Sequence, residues 1–235
     1  MIIKLVEVNK VYSKKPVLSN INLEIPTGSF TMLKGISGSG KSTLLSIIGG
    51  IEPVTSGQII ISNQAVDKLK GKARTDFYRH KVGFIFQGFY LQPQLTISEN
   101  IALMGMFAGM PKSDREKRAQ ELAAELGIVD VLKSLPSEVS GGQAERACIA
   151  RAMFMHPEII LADEPTNNLD PDNAKNVIEM LKKIQQETGT TIVIASHDPM
   201  VEKYSTQILH IKDGHISSSD ASVTDIDHTP NPGAA

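Results

Sequence analysis

The run Gly35-Ile36-Ser37-Gly38-Ser39-Gly40-Lys41-Ser42, with Thr43 next in line, has the spacing of a phosphate-binding loop. Glycines let the backbone turn tightly, so that successive N–H groups and the positive end of a following helix face phosphate oxygens. The Lys41 ammonium then reaches the β- and γ-phosphates, and the Ser42 hydroxyl ligates Mg²⁺. A flexible glycine-serine turn is the plain alternative. Against it, the strand-like TMLK before the run and the apolar STLLSIIGGI after it supply the strand–loop–helix context that the motif requires. The pattern points to nucleotide binding but fixes no reaction, because kinases, GTPases and motors share it.

A second constellation follows the apolar stretch Ile159-Ile160-Leu161-Ala162, which ends on Asp163-Glu164. Two acids at the carboxyl end of a strand stand where ligands of α/β sheets bind. Beside a phosphate loop they divide the work: Asp163 holds Mg²⁺, directly or through water, and Glu164 polarises the attacking water as general base. A third string, Val139-Ser140-Gly141-Gly142-Gln143, opens the helix-like ERACIARAM and would present a second anion-binding helix end. One nucleotide has no evident need of two.

With Gln87, Asp170 and His197 in order around it, that third string resembles the signature of ATP-binding cassette (ABC) subunits, and the resemblance covers about residues 1–216. It implies an α/β P-loop NTPase core with a parallel sheet, an antiparallel β subdomain and an inserted helical subdomain at about 88–156. It also implies two subunits packed head to tail around ATP, so that Ser140, Gly141, Gly142 and Gln143 of one chain meet the γ-phosphate held by the other. In that family pattern Gln87 serves the metal and the attacking water, His197 the γ-phosphate, Asp170 the dimer seam, and Tyr12 stacks on adenine. Val139 stands for the usual Leu, and Ala144 and Glu145 occupy positions where Gln is frequent, a change expected on the surface around the signature. The segments RHKVGFIFQGFYLQPQLTISENIAL and ASHDPMVEKYSTQILHIKDGHI look most like the bacterial lipoprotein-release, macrolide-export and cell-division branch. That branch implies separate membrane permease subunits, a peripheral site on the cytoplasmic face of the inner membrane, and export of amphipathic compounds, peptides or lipoproteins. An ATP-switched regulator of a division complex is the alternative, and a soluble cassette acting on ribosomes or DNA a third. Gly88-Phe89-Tyr90-Leu91, directly after Gln87, reads either as core of the helical insertion or as a groove for a permease helix.

These residues need elements to hold them. Residues 1 to about 34 read as short strands (IKLVEVNKVY, LSNINLEI, SFTMLKG) with a Pro-Thr-Gly turn at 26–28. QIIIS at 58–62 and KVGFIF at 81–86 are further strand candidates. From about 88 to 156 the β signal disappears, and SDREKRAQELAAELG predicts a helix capped at Ser113 or Asp114 and stopped at Gly127. The β/α rhythm resumes with EIILAD, a helix over about 172–187, TTIVIAS, and TQILHIKDGHI. Near-continuous apolar strands alternating with helices imply a parallel sheet covered on both faces. From Ser217 to 235 the chain is polar and acidic and is expected to be a flexible tail.

Composition narrows the classes. At 235 residues the chain suits one α/β domain with an insertion. The 24 Lys plus Arg against 26 Asp plus Glu leave no basic excess for a nucleic-acid backbone. No apolar run approaches the roughly 18 residues of a membrane span, so a membrane role requires a partner. Cys148, the only cysteine, has apolar neighbours and reads as a packed core thiol.

Overall fold

The computed structural model describes residues 1–167 and 169–219. Strand alternation in the first third folds into an antiparallel sheet of four strands in the order β2-β1-β4-β5: β1 (Ile3–Tyr12), β2 (Lys15–Ile25), β4 (Ser56–Ile61) and β5 (Gln64–Ala65). The second sheet has six strands in the order β10-β9-β3-β8-β7-β6: β3 (Phe30–Lys34), β6 (Val82–Ile85), β7 (Ile159–Asp163), β8 (Thr191–Ser196), β9 (Gln207–Lys212) and β10 (His215–Ser219). All its pairings are parallel except that of β9 with β10. The β9–β10 hairpin turns through Asp213 (φ 49) and Gly214 (φ 73), the two left-handed residues of a tight hairpin.

The helices are α1 (Lys41–Ile48), α2 (Gly71–Lys81), α3 (Ile97–Ile101), α4 (Leu103–Phe107), α5 (Lys112–Glu125), α6 (Gly141–Met153), α7 (Pro171–Thr188) and α8 (Pro199–Tyr204). Between β6 and β7 every described element is helical. The strand TIVIAS shows how the sheet is covered. Ile192 and Ile194 point into a cluster with Ile178 and Leu181 of α7 and with the residues of α5 and α6, while Val193 and Ala195 point to Leu44, Leu45, Ile47 and Ile48 of α1 and to the antiparallel sheet. Each such fully buried aliphatic side chain contributes about 1.5–3 kcal/mol.

Parallel pairing puts the chemistry on one edge. Lys34 lies opposite Ser196, Asp163 opposite Ala195, and Ile85 opposite Ala162. The loops that leave β3, β8, β7 and β6 therefore start side by side at the carboxyl edge, carrying the phosphate loop, His197, Glu164 and Gln87 respectively.

Two local expectations need correction, and one helix had no expectation at all. The α5 helix starts at Lys112 after Pro111, with no side-chain cap, because Ser113 and Asp114 already lie inside it; Gly127 (φ 66) does end it. Helix α2 carries no reading in the sequence because only Phe77 of its 11 residues is buried, which leaves no apolar stripe. Ser217–Ser219, expected in the tail, pair with His210, Leu209 and Ile208 as the end of β10; the rest of the expected tail, 220–235, lies outside the described residues, as does Asn168.

Candidate functional site

The phosphate loop spans the gap between β3 and α1. Gly40 is the N-cap of α1 at φ 108, a conformation reserved for glycine, and no side chain caps the helix, so its first N–H groups stay open to an anion. Lys41 is 7% exposed; its Nζ donates to the carbonyls of Gly35 at 2.9 Å and Ile36 at 3.2 Å, and stands 3.4 Å from Glu164 Oε1. Glu164 in turn lies 3.0 Å from His197 Nδ1 through Oε2. An ammonium, a carboxylate and an imidazole thus form one line across the mouth of the loop. The Glu164 backbone sits at φ 47, a strained setting for a non-glycine residue, fixed by its N–H donating to Ala195 O at 2.9 Å.

Ser42 Oγ donates to Asp163 Oδ1 at 3.0 Å. Burial pushes the Asp163 carboxyl above its ordinary range; the Ser42 hydrogen bond pulls it back, Glu164 raises it again, and Lys41 opposes that. A divalent cation would reverse this balance. The donor set fits Mg²⁺: two hard oxygens 3.0 Å apart match neighbouring corners of an octahedron with bonds of about 2.0–2.1 Å. The described residues hold no group of three or more His, Cys, Asp or Glu that could hold a metal ion.

A cleft of about 480 Å³ lies over this line. Ser37, Gly38, Gly40, Lys41, Ser42, Thr43, Gln87, Glu164 and His197, all expected in the site, line it. Val17 and Asn167 line it too and were missed; Asn167 is readable only as a neighbour of Glu164, and Val17 carries no polar signal. Gly35 and Ser39, within the loop, and Asp163, at the end of β7, were also expected but do not line the cleft. Ser39 is buried and its Oγ has no partner among the described residues, as in a cradle shaped for a ligand. Tyr12 is not among the cleft's lining: its ring, 40% exposed at the end of β1, has Lys10 Nζ 4.5 Å from its centroid.

Ser140, Gly141, Gly142 and Gln143 do not line the cleft either. Ser140 caps α6, accepting from Gln143 N at 3.3 Å, while Gln143 Oε1 accepts from Ser140 N at 2.9 Å. This reciprocal cap is legible as S-x-x-Q. It occupies both polar side chains and leaves the N–H groups of Gly141 and Gly142 as the open donors of the helix end. Gly142 has a reason to be glycine inside its own chain: a Cβ there would meet Asn173 Oδ1 at 2.8 Å. Asn173 is held by Asp170, the N-cap of α7, whose Oδ1 accepts from Asn173 N at 3.0 Å and Oδ2 from Asn173 Nδ2 at 2.6 Å.

Ala144 and Glu145 are 4% and 3% exposed, so they belong to the core of the helical region and not to its surface. Glu145 Oε1 has no partner among the described residues, and burial pushes its carboxyl up to about 7, against the pull of Arg151. A raised carboxyl favours the protonated fold. Its stabilising effect is complete below the ordinary 4.5 and is lost as pH rises through about 7. At about 1.36 kcal/mol per pKa unit the loss amounts to about 3 kcal/mol. Glu145→Gln is therefore expected to exceed the parent in stability by about that much at pH 8, with the difference vanishing toward pH 4.5. Urea unfolding at both pH values checks this; a pH-independent difference would place the charge penalty elsewhere.

The three residues after Gly88 divide. Tyr90 is 70% exposed with its ring edge-on to Phe86, centroids 5.6 Å apart, whereas Leu91 packs on the core and the Phe89 ring lies beside Gly141. Next to Tyr90 runs an apolar groove of about 570 Å³ between α2 and the helical region, lined by Tyr78, Phe84, Phe86, Met104 and Phe107 with Arg74, Arg79 and Arg151. None of Phe89, Tyr90 and Leu91 lines it; Tyr90 borders it only through its ring contact with Phe86.

Known proteins bear on this geometry. The family model described as ABC transporter matches residues 18–167. The macrolide export ATP-binding/permease protein MacB of Aggregatibacter actinomycetemcomitans is 41% identical over 221 residues, covering 92% of this chain and 34% of that protein. The chain thus spans about a third of that relative's length. The bacitracin export ATP-binding protein BceA of Halalkalibacterium halodurans is 37% identical over 204 residues, with 87% and 81% covered. The dimeric post-hydrolysis structure of the ATP-binding cassette MJ0796, bound to ADP and Pi, matches with a TM-score of 0.87 at 37% identity, over 94% of this chain and 99% of that one.

Proposed function

The chain belongs to the ABC transporter family, and from that premise we propose that it is an ATP-hydrolysing subunit that closes head to tail with a second copy around two ATP and drives a separate membrane permease. One observation carries this reading. The chain has two anion-binding helix ends, at α1 and α6, and only the first lines its own phosphate cleft. The open N–H groups of Gly141 and Gly142 take a phosphate held by another copy; the MJ0796 cassette has itself been solved as a dimer.

Each residue then has a task. Backbone N–H groups from Ser37 to Thr43 and the Lys41 ammonium grip the phosphates, Lys41 exchanging its carbonyl partners for phosphate oxygens. Ser42, Asp163 and Gln87 would hold Mg²⁺, which when bound would supply positive charge against the phosphates. Glu164 takes the proton of the attacking water. His197 orients Glu164 and faces the γ-phosphate, and Tyr12 offers its ring to adenine. Residues 1–219, through the end of β10, act as one cassette, with the helical region at about 88–156 turning on the core.

No described helix is long and apolar enough to cross a membrane, so we place the chain at the cytoplasmic membrane face through its permease. The groove beside Tyr90 presents three arginines and no acidic side chain in its lining, which suits a permease helix with an apolar stripe and a carboxylate. The transported class, in keeping with the macrolide and bacitracin relatives, is an amphipathic compound, peptide or lipoprotein. Phe107 is 60% exposed there, and Phe107→Asp is expected to change stability by no more than about 0.5 kcal/mol while abolishing copurification with the permease. Unimpaired copurification would move the docking site elsewhere.

The sandwich is tested by light scattering on Glu164→Gln. It is expected to be dimeric with ATP and monomeric with ADP; a monomer under both conditions would remove the head-to-tail reading.

A further inference from the structure

Three donors of α6 converge on the loop that follows Gln87. Arg151 Nη1 donates to Tyr90 O at 2.7 Å and Nη2 to Phe89 O at 3.1 Å, and the Cys148 thiol donates to the same Phe89 carbonyl at 2.9 Å. Cys148 and Arg151 are three residues apart and so share a helix face. At the first turn of α6 the Phe89 ring comes near the backbone, since a Cβ on Gly141 would lie 3.7 Å from Phe89 Cζ. The loop therefore lies along α6 from its signature end to its third turn. Tyr90 sits at φ 42, a left-handed setting uncommon for a non-glycine residue, which persists only where its surroundings over-determine it. The Arg151 fork does so.

Neither Cys148 nor Arg151 lines the phosphate cleft, whereas Gln87 does. We propose that Cys148 and Arg151 are positioning residues that latch the loop after Gln87 to α6, so that this loop and the signature end of α6 move as one piece when Gln87 engages the nucleotide. The latch rests on the head-to-tail reading above, because it is there that the orientation of the signature matters. Both donors suit a permanent fastening. Arg151 spans two carbonyls with its planar fork, and burial pushes the Cys148 thiol up to about 12, so its S–H stays in place as a donor and resists conversion to a reactive thiolate. Arg151 also lines the apolar groove, so the latch stands between the nucleotide and the permease.

The test uses the full chain carrying Glu164→Gln as parent, with Cys148→Ala, Cys148→Ser and Arg151→Lys added singly. Light scattering reads ATP-driven dimerisation, titration with a fluorescent ATP analogue reads monomer affinity, and thermal melting reads folding. Cys148→Ala and Arg151→Lys are expected to bind the analogue as the parent does but to dimerise about 2- to 30-fold more weakly, the range that coupling mutations span. Cys148→Ser, whose hydroxyl can still donate to the Phe89 carbonyl, is expected to dimerise as the parent does. Parent-like dimerisation of both Cys148→Ala and Arg151→Lys would overturn the latch. So would equal impairment of the Ser and Ala variants, which would make side-chain volume the cause, or a parallel fall in monomer affinity. If Cys148→Ala melts early, the Cys148→Ser and Arg151→Lys results decide. A parent that fails to dimerise sinks the head-to-tail reading first, visibly before any latch variant is compared, and the latch falls with it.

Discussion

Glu164→Gln is expected to lower steady-state ATP turnover by about 10² to 10⁴ while nucleotide binding is retained. The amide fills the same volume and leaves the φ 47 backbone and its bond to Ala195 intact, so the fold has no reason to change. What disappears is the proton acceptor and the negative charge between Lys41 at 3.4 Å and His197 at 3.0 Å. Loss of that charge leaves Lys41 with less competition for phosphate oxygens, so binding should hold or tighten. Phosphate release at saturating ATP, paired with equilibrium binding, separates the two effects. Undiminished turnover would remove Glu164 from the role of base.

The second large effect is expected from Gly141→Asp. Gly142 is the poorer position to probe, because any side chain there collides with Asn173 and disturbs the cap of α7. At Gly141 a Cβ makes only ordinary contacts, at 3.7 Å to Phe89 and 3.9 Å to Leu169. An acid in the first turn of a helix is otherwise favourable, so α6 should tolerate it. Across the interface it faces a γ-phosphate. At 4 Å, with an effective dielectric constant of 20, like charges cost about 4 kcal/mol, roughly a thousandfold in the association constant. Turnover should fall to background while ATP binding by the monomer stays near the parent's. An equal fall in monomer binding would mean that the signature acts on its own chain's nucleotide.

The sequence made much of the cleft legible because phosphate chemistry forces residue types onto fixed spacings: glycines around Lys41 and Ser42 marked the loop, and only beside it did the strand ending on Asp163 and Glu164 gain its meaning. The parallel sheet was legible too, since strands buried on both faces, such as IILAD and TIVIAS, leave unbroken apolar runs. Contacts between distant segments were not. Nothing in the pattern announced that Arg151 reaches the Phe89 and Tyr90 carbonyls, or that Asn173 lies against Gly142, because such contacts depend on how helices cross. Glu145 was misread for a related reason: a charged residue on a helix is presumed exposed, and only packing shows otherwise. Helix α2 and its arginines escaped because a helix with one buried residue has no amphipathic period to detect.

Mixing two inactive variants tests the central claim most directly. Lys41→Ala removes the ammonium that faces the β- and γ-phosphates, and Gly141→Asp spoils the signature; each alone should hydrolyse ATP at background. In a mixed dimer, the intact phosphate loop of the Gly141→Asp chain meets the intact signature of the Lys41→Ala chain, and one whole site is restored. The account predicts that ATP hydrolysis reappears on mixing, rising with the proportion of mixed dimers as the two chains are titrated against each other. Activity that stays at the sum of the two separate variants at every ratio would contradict a site shared between two copies of this chain.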